Sequence, residues 1–458
     1  MKRIAIIGGG ISGLSALHFL KQRYGTQCEI VLYEKESRVG GTIGTDRKDG
    51  FISDWGPNGF LDKVPLTLQL VKDIGADDFI EPANPKADKR FIFRNKRLHE
   101  IAPSPLKFLK SPLLSLSGRI RLCTEPFRKQ KTSDDDESIY DFVSRRIGQE
   151  AADTMIVPMV SGIYGGDARE LSLQACFPTM AEMEKQYGSL IKAMIAKKKE
   201  GKSKGGPSGP GGRLTSFISG LNKLVEVMEE KYKSNITTGM EVTTIEKNDN
   251  GFSINFKFNE PEHFDAVICA TPSYAAVGLT ERLDMKLSDV LASIPYASIA
   301  VICLGYNEED ISQDINGFGF LIPRTEGLRI LGSIWTSSIF DGRSPKGMVQ
   351  LRTMIGGATD SEAIELSEEQ LVQLTHNELA EILGISRSPE YVNIFKWEKG
   401  IPQFTIGHPA RVKRIDSFQE KYAGLLFTGN AYDGIGLNDC IVRSDKVVGQ
   451  LAKLLNFQ

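Results

Sequence analysis

Histidine is scarce in this sequence, at five in 458 residues, and the six cysteines (Cys28, Cys123, Cys176, Cys269, Cys303, Cys440) lie far apart, with no CxxC pair. Such scatter excludes a zinc ribbon or a disulfide framework, and the thiols read as reduced core residues with no metal to hold. An excess of one charge is also missing. A net charge of -2 leaves no broad basic field, so no nucleic-acid partner is expected. No stretch approaches the roughly 20 apolar residues of a spanning helix. The opening MKRIAIIGGG is basic and then apolar, but glycines break the run before a signal-peptide core could form, so a cytoplasmic chain is expected. No paired carboxylates, hydrolytic triad or metal cluster stands out, and no catalytic side chain is assigned. What is present is an ordinary globular composition, 41% hydrophobic, in a chain long enough for two or three domains.

The first informative stretch is KRIAIIGGGISGLSALHFLKQ. An apolar strand at Ile4–Ile7 leads into a glycine turn, and Leu14, Leu17 and Leu20 then recur on one helical stripe. A second strand, EIVLYE, ends at Glu34, 21 residues past Gly13. Strand, Gly8-x-Gly10-x-x-Gly13, helix, strand and acid in this order form a dinucleotide fingerprint. Gly8 permits the tight turn, Gly10 lets the backbone approach a pyrophosphate, and Gly13 lets helix and strand pack closely. Gly9, Ile11 and Ser12 complete the loop, whose free N–H groups and helix dipole favour an anion. Glu34 suits ribose hydroxyls. The continuation KESRVGGTI, with Lys35, Arg38, Gly40 and Gly41, resembles the flavin-containing amine oxidase and phytoene desaturase superfamily. There, arginine and glycines hold the phosphates and ribityl chain of FAD.

GFISDWGPNGF is similar to the same superfamily's flavin-side segment and places Gly56, Pro57, Asn58 and Gly59 near the isoalloxazine. DAVICATP resembles its second strand motif, and EVTTIEKNDNGFSINF reads as a hairpin that sets Val242 on the adenine. Near the C-terminus, LLFTGNAYDGIGLNDCI repeats the pattern of strand, glycine loop and helix start. In a fold wrapping FAD from both ends, this second helix N-terminus, with Gly429, Ile435, Gly436 and Leu437, would favour the negative charge of a reduced flavin.

Between the loops, residues 104–131 carry leucines, phenylalanines and seven basic residues with Glu125 as the single acid, a pattern suited to lying in an anionic membrane surface without crossing it. TSDDDESIYDFVSRRIG reads as helix-start chemistry closed by Gly148. AKKKEGKSKGGPSGPGGR reads as a surface linker. Glycines 162, 165 and 166 mark a chain reversal or a close approach to a bulky ligand.

SGIYGGDARELSLQACFP, GIPQFTIGH, NGFGFLIP and YDGIGLNDCI together resemble the protoporphyrinogen IX oxidase family, FAD-containing and oxygen-dependent, over residues 1 to about 455. The resemblance implies α/β plus α+β architecture: a Rossmann-like FAD-binding domain (1–65, 211–285 and 405–458), a mixed-sheet substrate-binding domain (66–85 and 286–404) and a mostly helical membrane-binding domain (86–210). It implies non-covalent FAD, adds Trp397 to the cofactor contacts, and assigns Arg90 to a substrate propionate. Phe318, Leu321, Ile334 and Met354 would sandwich the tetrapyrrole, and Gly162 would approach it through backbone. The implied reaction takes protoporphyrinogen IX to protoporphyrin IX in three two-electron steps with oxygen as acceptor. Coproporphyrinogen III is the alternative substrate, since the GIYGG loop lies between the two patterns. An amine oxidase or carotenoid desaturase is more remote. Attachment to the inner face of the membrane, homodimerisation and hand-over of product to ferrochelatase are further expectations.

Overall fold

In the computed structural model, which describes residues 1–101, 111–199, 205–206 and 209–457, two sheets carry the molecule. The first is a five-stranded parallel sheet in the order Ile236–Thr237, Cys28–Tyr33, Lys2–Ile7, Ala266–Cys269, Leu425–Phe427. Its strands are short apolar runs, as burial on both faces requires. One face packs on the helices Ile11–Tyr24, Pro65–Ile74, Asn222–Tyr232 and Leu437–Leu454. The other is covered by the antiparallel sheet Val242–Asn248, Gly251–Phe256, Glu262–Phe264 and by helices that include Met285–Ala292 and His408–Lys421. Leu14, Leu17 and Leu20 are fully buried, but so are Ser15 and Ala16: the first helix lies between the sheet and the last helix and keeps little solvent face.

The second sheet has seven strands in the order Tyr391–Pro402, Tyr296–Asn307, Met348–Gly356, Ile330–Trp335, Gly319–Leu321, Arg90–Arg94, Arg97–Glu100. Only Gly319–Leu321 against Arg90–Arg94 is a parallel pair among them. Ala300, Ile302 and Leu304 point to one face and pack beneath the helix Glu368–Leu383. Val301, Cys303, Met354 and Phe395 point to the other, toward Phe51 of the flavin-side region. The period-two alternation of strands thus separates a structural face from one turned to the first domain.

Two expected boundaries move. Residues 66–85 were assigned to the substrate domain, yet Leu70, Val71 and Ile74 are buried in the core beside the parallel sheet, because the apolar stripe of Pro65–Ile74 meets the last helix. The helical region was expected from residue 86, but residues 90–100 form two strands at the edge of the seven-stranded sheet, where RFIFR supplies the β-branched and aromatic content of a strand. The helices occupy the described residues 111–199. There Ser138 caps Ile139–Ile147 by accepting from the Asp141 N–H and Gly148 closes it at φ 99°, as the sequence predicts. Fully buried Arg146 pairs with Glu125, whose carboxylate also accepts the N–H groups of Leu190 and Ile191. Of the stretch Ala196–Arg213 read as a linker, the first four residues end the helix Leu190–Lys199, and residues 200–204 and 207–208 lie outside the described ones. All six cysteines are free, but Cys123 is exposed and Cys176 half-buried, contrary to the reading of all six as core thiols; Cys123 ends the helix Leu116–Cys123, of which Gly118 alone is buried.

Candidate active site

The glycine loop is built by close backbone contacts. Gly8 adopts φ 105°, and its N–H donates to the Tyr33 carbonyl at 2.8 Å. A Cβ on Gly13 would sit 1.9 Å from the Gly8 oxygen, whereas one on Gly10 would meet nothing within 4 Å. The loop is therefore jammed against its own strand at Gly13 and open at Gly10, the shape of a cradle for a pyrophosphate. Glu34, 8% exposed, accepts the Gly9 N–H at 2.7 Å and the Glu36 N–H at 3.0 Å. Lone pairs remain for ribose hydroxyls. Ile11 is half-buried and Ser12 buried, while Lys35 is exposed and pairs with Glu36 at 3.4 Å.

Arg38, expected at the phosphates and ribityl chain, also makes a set of protein contacts. Its guanidinium donates to the carbonyls of Val39, Ile43 and Gly41, the last at 2.7 Å, and stacks 4.2 Å from the Trp55 ring. It braces the Val39–Ile43 turn that lies against Gly10, where the Gly40 N–H donates to the Gly9 carbonyl at 2.8 Å. Trp397 donates its indole N–H to the Trp55 carbonyl at 3.2 Å, which ties the flavin-side segment to the second sheet. In that segment, a Cβ on Gly56 or Gly59 would fall 2.6 Å from the carbonyl of Thr42 or Thr215. The exposed Pro57 lies between them, and the buried amide nitrogen of Asn58 has no hydrogen-bond partner. Val242 heads the predicted hairpin and packs on the second core face.

The second loop faces the same way as the first. The Ser12 carbonyl accepts from Ser444 at 2.8 Å, and at the other end of these helices Tyr24 packs on Phe457 with ring centroids 5.2 Å apart. The first and last helices therefore run side by side in one direction, and both N-termini open at the carboxyl edge of the parallel sheet. Gly429 turns the chain at φ 143°, Ile435 packs on the helical region, and Gly436 and Leu437 start the last helix. Asp439, not singled out from the sequence, accepts the Gly436 N–H at 3.1 Å. Burial raises its pKa. This end of the helix thus already carries a carboxyl, which tempers the dipole the bare loop suggested.

The substrate residues converge on the domain-facing side of the second sheet. Arg90 pairs with Gly319, Gly319 with Ile334, and Ile334 with Arg352. The adjacent row contains Leu321, Gly332 and Met354. Arg90 lies 4.8 Å above the Phe318 ring, and burial lowers its pKa. Phe318 and Ile334 share one apolar cluster, and a Cβ on Gly162 would come within 2.7 Å of Leu321 Cδ2. Arg352 and Arg343 were missed: Arg352 sits inside the apolar strand Met348–Gly356, where alternation leaves its role ambiguous, and Arg343 lies in the polar turn before it. Arg343 is fully buried and faces Asp54 at 3.3 Å and Glu81 at 3.6 Å. Desolvation raises the Asp54 pKa and pushes Glu81 up to about 7, against the opposing pull of Arg343.

A separate cavity of about 520 Å³ opens beside the helix Val157–Tyr164. Its Arg329 pairs with Asp360 at 2.8 Å and Arg169 with Asp153 at 3.4 Å, so most of its charge is already answered. The described residues contain no group of three or more His, Cys, Asp or Glu placed to hold a metal ion.

The model of the family described as flavin containing amine oxidoreductase matches residues 11–448. The chain belongs to this family. It is an FAD-dependent oxidoreductase, and the open cradle at Gly10, the carboxylate of Glu34 and the orphaned amide of Asn58 fit that cofactor. The chain is 30% identical to the coproporphyrinogen III oxidase of Bacillus subtilis (strain 168), with 96% of each chain covered. It is 31% identical to protoporphyrinogen oxidase 1, chloroplastic, of Arabidopsis thaliana, covering 95% of this chain and 85% of that protein. A solved structure from Exiguobacterium sp. 255-15, provisionally described as a protoporphyrinogen oxidase, superposes with a TM-score of 0.84 at 25% identity, covering 99% of both chains.

Proposed function

We propose that this flavoenzyme oxidises a porphyrinogen to the porphyrin, removing six electrons in three steps, with oxygen as the acceptor. The observation that carries this reading is the convergence of Arg90, Leu321, Ile334 and Met354 on one sheet face, opposed by Gly162 and bordered by Gly56. An apolar slot with a cation at one end suits a flat macrocycle with acid side chains. When bound, FAD supplies the two-electron acceptor chemistry. The chain's own residues grip the carboxylate through Arg90, support the macrocycle on Leu321 and Ile334, and exclude water with Phe318 and Met354. No acidic or basic side chain is assigned to take the pyrrole proton. The sequence motifs favour protoporphyrinogen IX, and one structural feature, the buried guanidinium of Arg352, favours coproporphyrinogen III as a second reading.

Aerobic oxidation of the two porphyrinogens in parallel, followed by porphyrin fluorescence and hydrogen peroxide, tests the proposal. Turnover of either supports it; yellow protein that oxidises neither refutes it.

The same reading includes attachment to an anionic membrane surface. No helix of the described residues is long and apolar enough to cross a membrane, and residues 104–110 of the basic segment lie outside the described ones. Within the rest, Leu116, Ile120 and Phe127 are 71%, 57% and 87% exposed beside Arg119, Arg128 and Lys129, the mixture expected of an interfacial surface. Co-sedimentation with phosphatidylglycerol vesicles should be strong for the wild type and weak for Phe127→Asp; equal sedimentation of both would remove Phe127 from the contact.

A further inference from the structure

We propose that Arg352 is a second carboxylate-binding residue of the substrate site, so that the site fits a porphyrinogen with acid side chains on opposite edges of the ring. This rests on the porphyrinogen reading above.

Arg90, Gly319, Ile334 and Arg352 are consecutive partners across four strands, so the two arginines share a face three strand spacings apart, about 14 Å between Cα atoms. That is the scale of a tetrapyrrole disc with its side chains. Between the two cations lie Gly319, which has no side chain, and Ile334. The neighbouring row adds Leu321, Gly332 and Met354. A flat apolar floor thus separates two guanidinium groups.

Arg352 is also a buried guanidinium. It is 5% exposed, and it forms no ion pair among the described residues. One terminal nitrogen donates to the Gly56 carbonyl, and its Nε is buried with no hydrogen-bond partner. Arg343, equally buried, faces both Asp54 and Glu81. Asp54 is further engaged by the hydroxyl of Thr45 and the N–H of Leu221. The row beyond Arg352 continues with Cys303 and Asn393, neither of which brings a carboxylate. Asp54 faces Arg343 directly and attracts Arg352 only from beyond ion-pair contact. A desolvated cation with no carboxylate in contact is costly, and a planar guanidinium is suited to a carboxylate. A substrate with both acids on one edge answers Arg90 alone. A tetracarboxylate such as coproporphyrinogen III answers both.

The test uses the flavin-loaded full chain. Binding of coproporphyrin III and of protoporphyrin IX is titrated by fluorescence quenching, and kcat/KM is measured for both porphyrinogens, in the wild type, Arg352→Met and Arg352→Lys. The wild type should bind coproporphyrin III more tightly. Arg352→Met should weaken coproporphyrin III about tenfold or more while changing protoporphyrin IX less than threefold, with KM rather than kcat carrying the effect, and Arg352→Lys should recover part of the preference. Equal losses for both ligands would overturn the proposal and assign Arg352 to the fold or the flavin, as would no loss for either. Equal wild-type binding of the two porphyrins would overturn it without any variant, which covers the case of Arg352→Met failing to fold. Turnover of porphyrinogens with no effect at Arg352 refutes this assignment alone; yellow protein that neither binds nor oxidises either refutes the porphyrinogen reading with it.

Discussion

Two alanines in one loop should separate the fold from its cofactor. At Gly13 a Cβ would stand 1.9 Å from the Gly8 oxygen and 3.1 Å from the Gly8 carbonyl carbon, so the first helix must retreat by about 1 Å or more, at roughly 1–3 kcal/mol of overpacking strain. Gly10 has φ −69° and ψ 176°, which alanine adopts freely, and its added Cβ would meet no protein atom within 4 Å. Alanine costs about 0.5–1 kcal/mol as a helix N-cap and gains about 0.4–1 kcal/mol by stiffening the unfolded chain. The Gly10→Ala apoprotein should therefore match the wild type in stability to within about 0.5 kcal/mol. Its FAD affinity should fall roughly tenfold to 150-fold, since the methyl stands where a charged phosphate hydrogen bond worth about 1.5–3 kcal/mol would form. Thermal melts of deflavinated protein and FAD titration by fluorescence quenching measure the two quantities. Wild-type FAD affinity in Gly10→Ala would refute the placement of the pyrophosphate; a Gly13→Ala protein as stable as wild type would refute the packing argument.

Arg90→Ala should keep the yellow spectrum and raise KM for the porphyrinogen about tenfold or more, because a charged hydrogen bond is lost; an unchanged KM removes Arg90 from the site. Gly162→Ala pushes on the flexible end of Leu321 while improving helix propensity in Val157–Tyr164, so stability should stay within about 1 kcal/mol of the wild type while substrate affinity drops several-fold; a normal KM would show that Leu321 does not contact the macrocycle. Arg343→Met leaves Asp54 buried without its cation and should destabilise by about 3–5 kcal/mol, read by denaturant unfolding; a loss under 1 kcal/mol would show the pair to be dispensable. His408, stacked on Phe404 at 4.0 Å with its Nε2–H donating to the Tyr432 carbonyl, has its pKa lowered by burial from 6.5 to about 4. The unfolded chain binds the extra proton between those values, so about 3 kcal/mol of stability present above pH 6.5 is lost as the pH falls toward 4. His408→Gln should flatten that part of the stability profile, and an unaltered slope would contradict the assignment.

Much of this protein can be read without coordinates wherever neighbours in sequence are neighbours in space. The glycine turn, its helix and Glu34 form a local unit, since hydrogen bonds within about 30 residues fix it. The hairpin at Val242 and the helix closed by Gly148 follow from the same local rules. Arg38 was legible as important, but only the folded turn reveals that its guanidinium also braces the backbone carbonyls of Val39, Gly41 and Ile43. Domain boundaries were misplaced at 66–85 and 86–100, where short amphipathic elements have no local signal that names their partner sheet. Arg352 and Asp439 went unnoticed for the same reason.

The sequence by itself determined the two glycine loops, the apolar strands that carry them and the family resemblance, because backbone conformation and periodicity are encoded residue by residue. Only the tertiary structure decided that both loops open at one edge of one sheet, that Arg90 and Arg352 share a face four strands wide, and that buried Arg352 has no ion pair among the described residues. Strand register and charge compensation are set by residues hundreds of positions apart, and no local propensity records them.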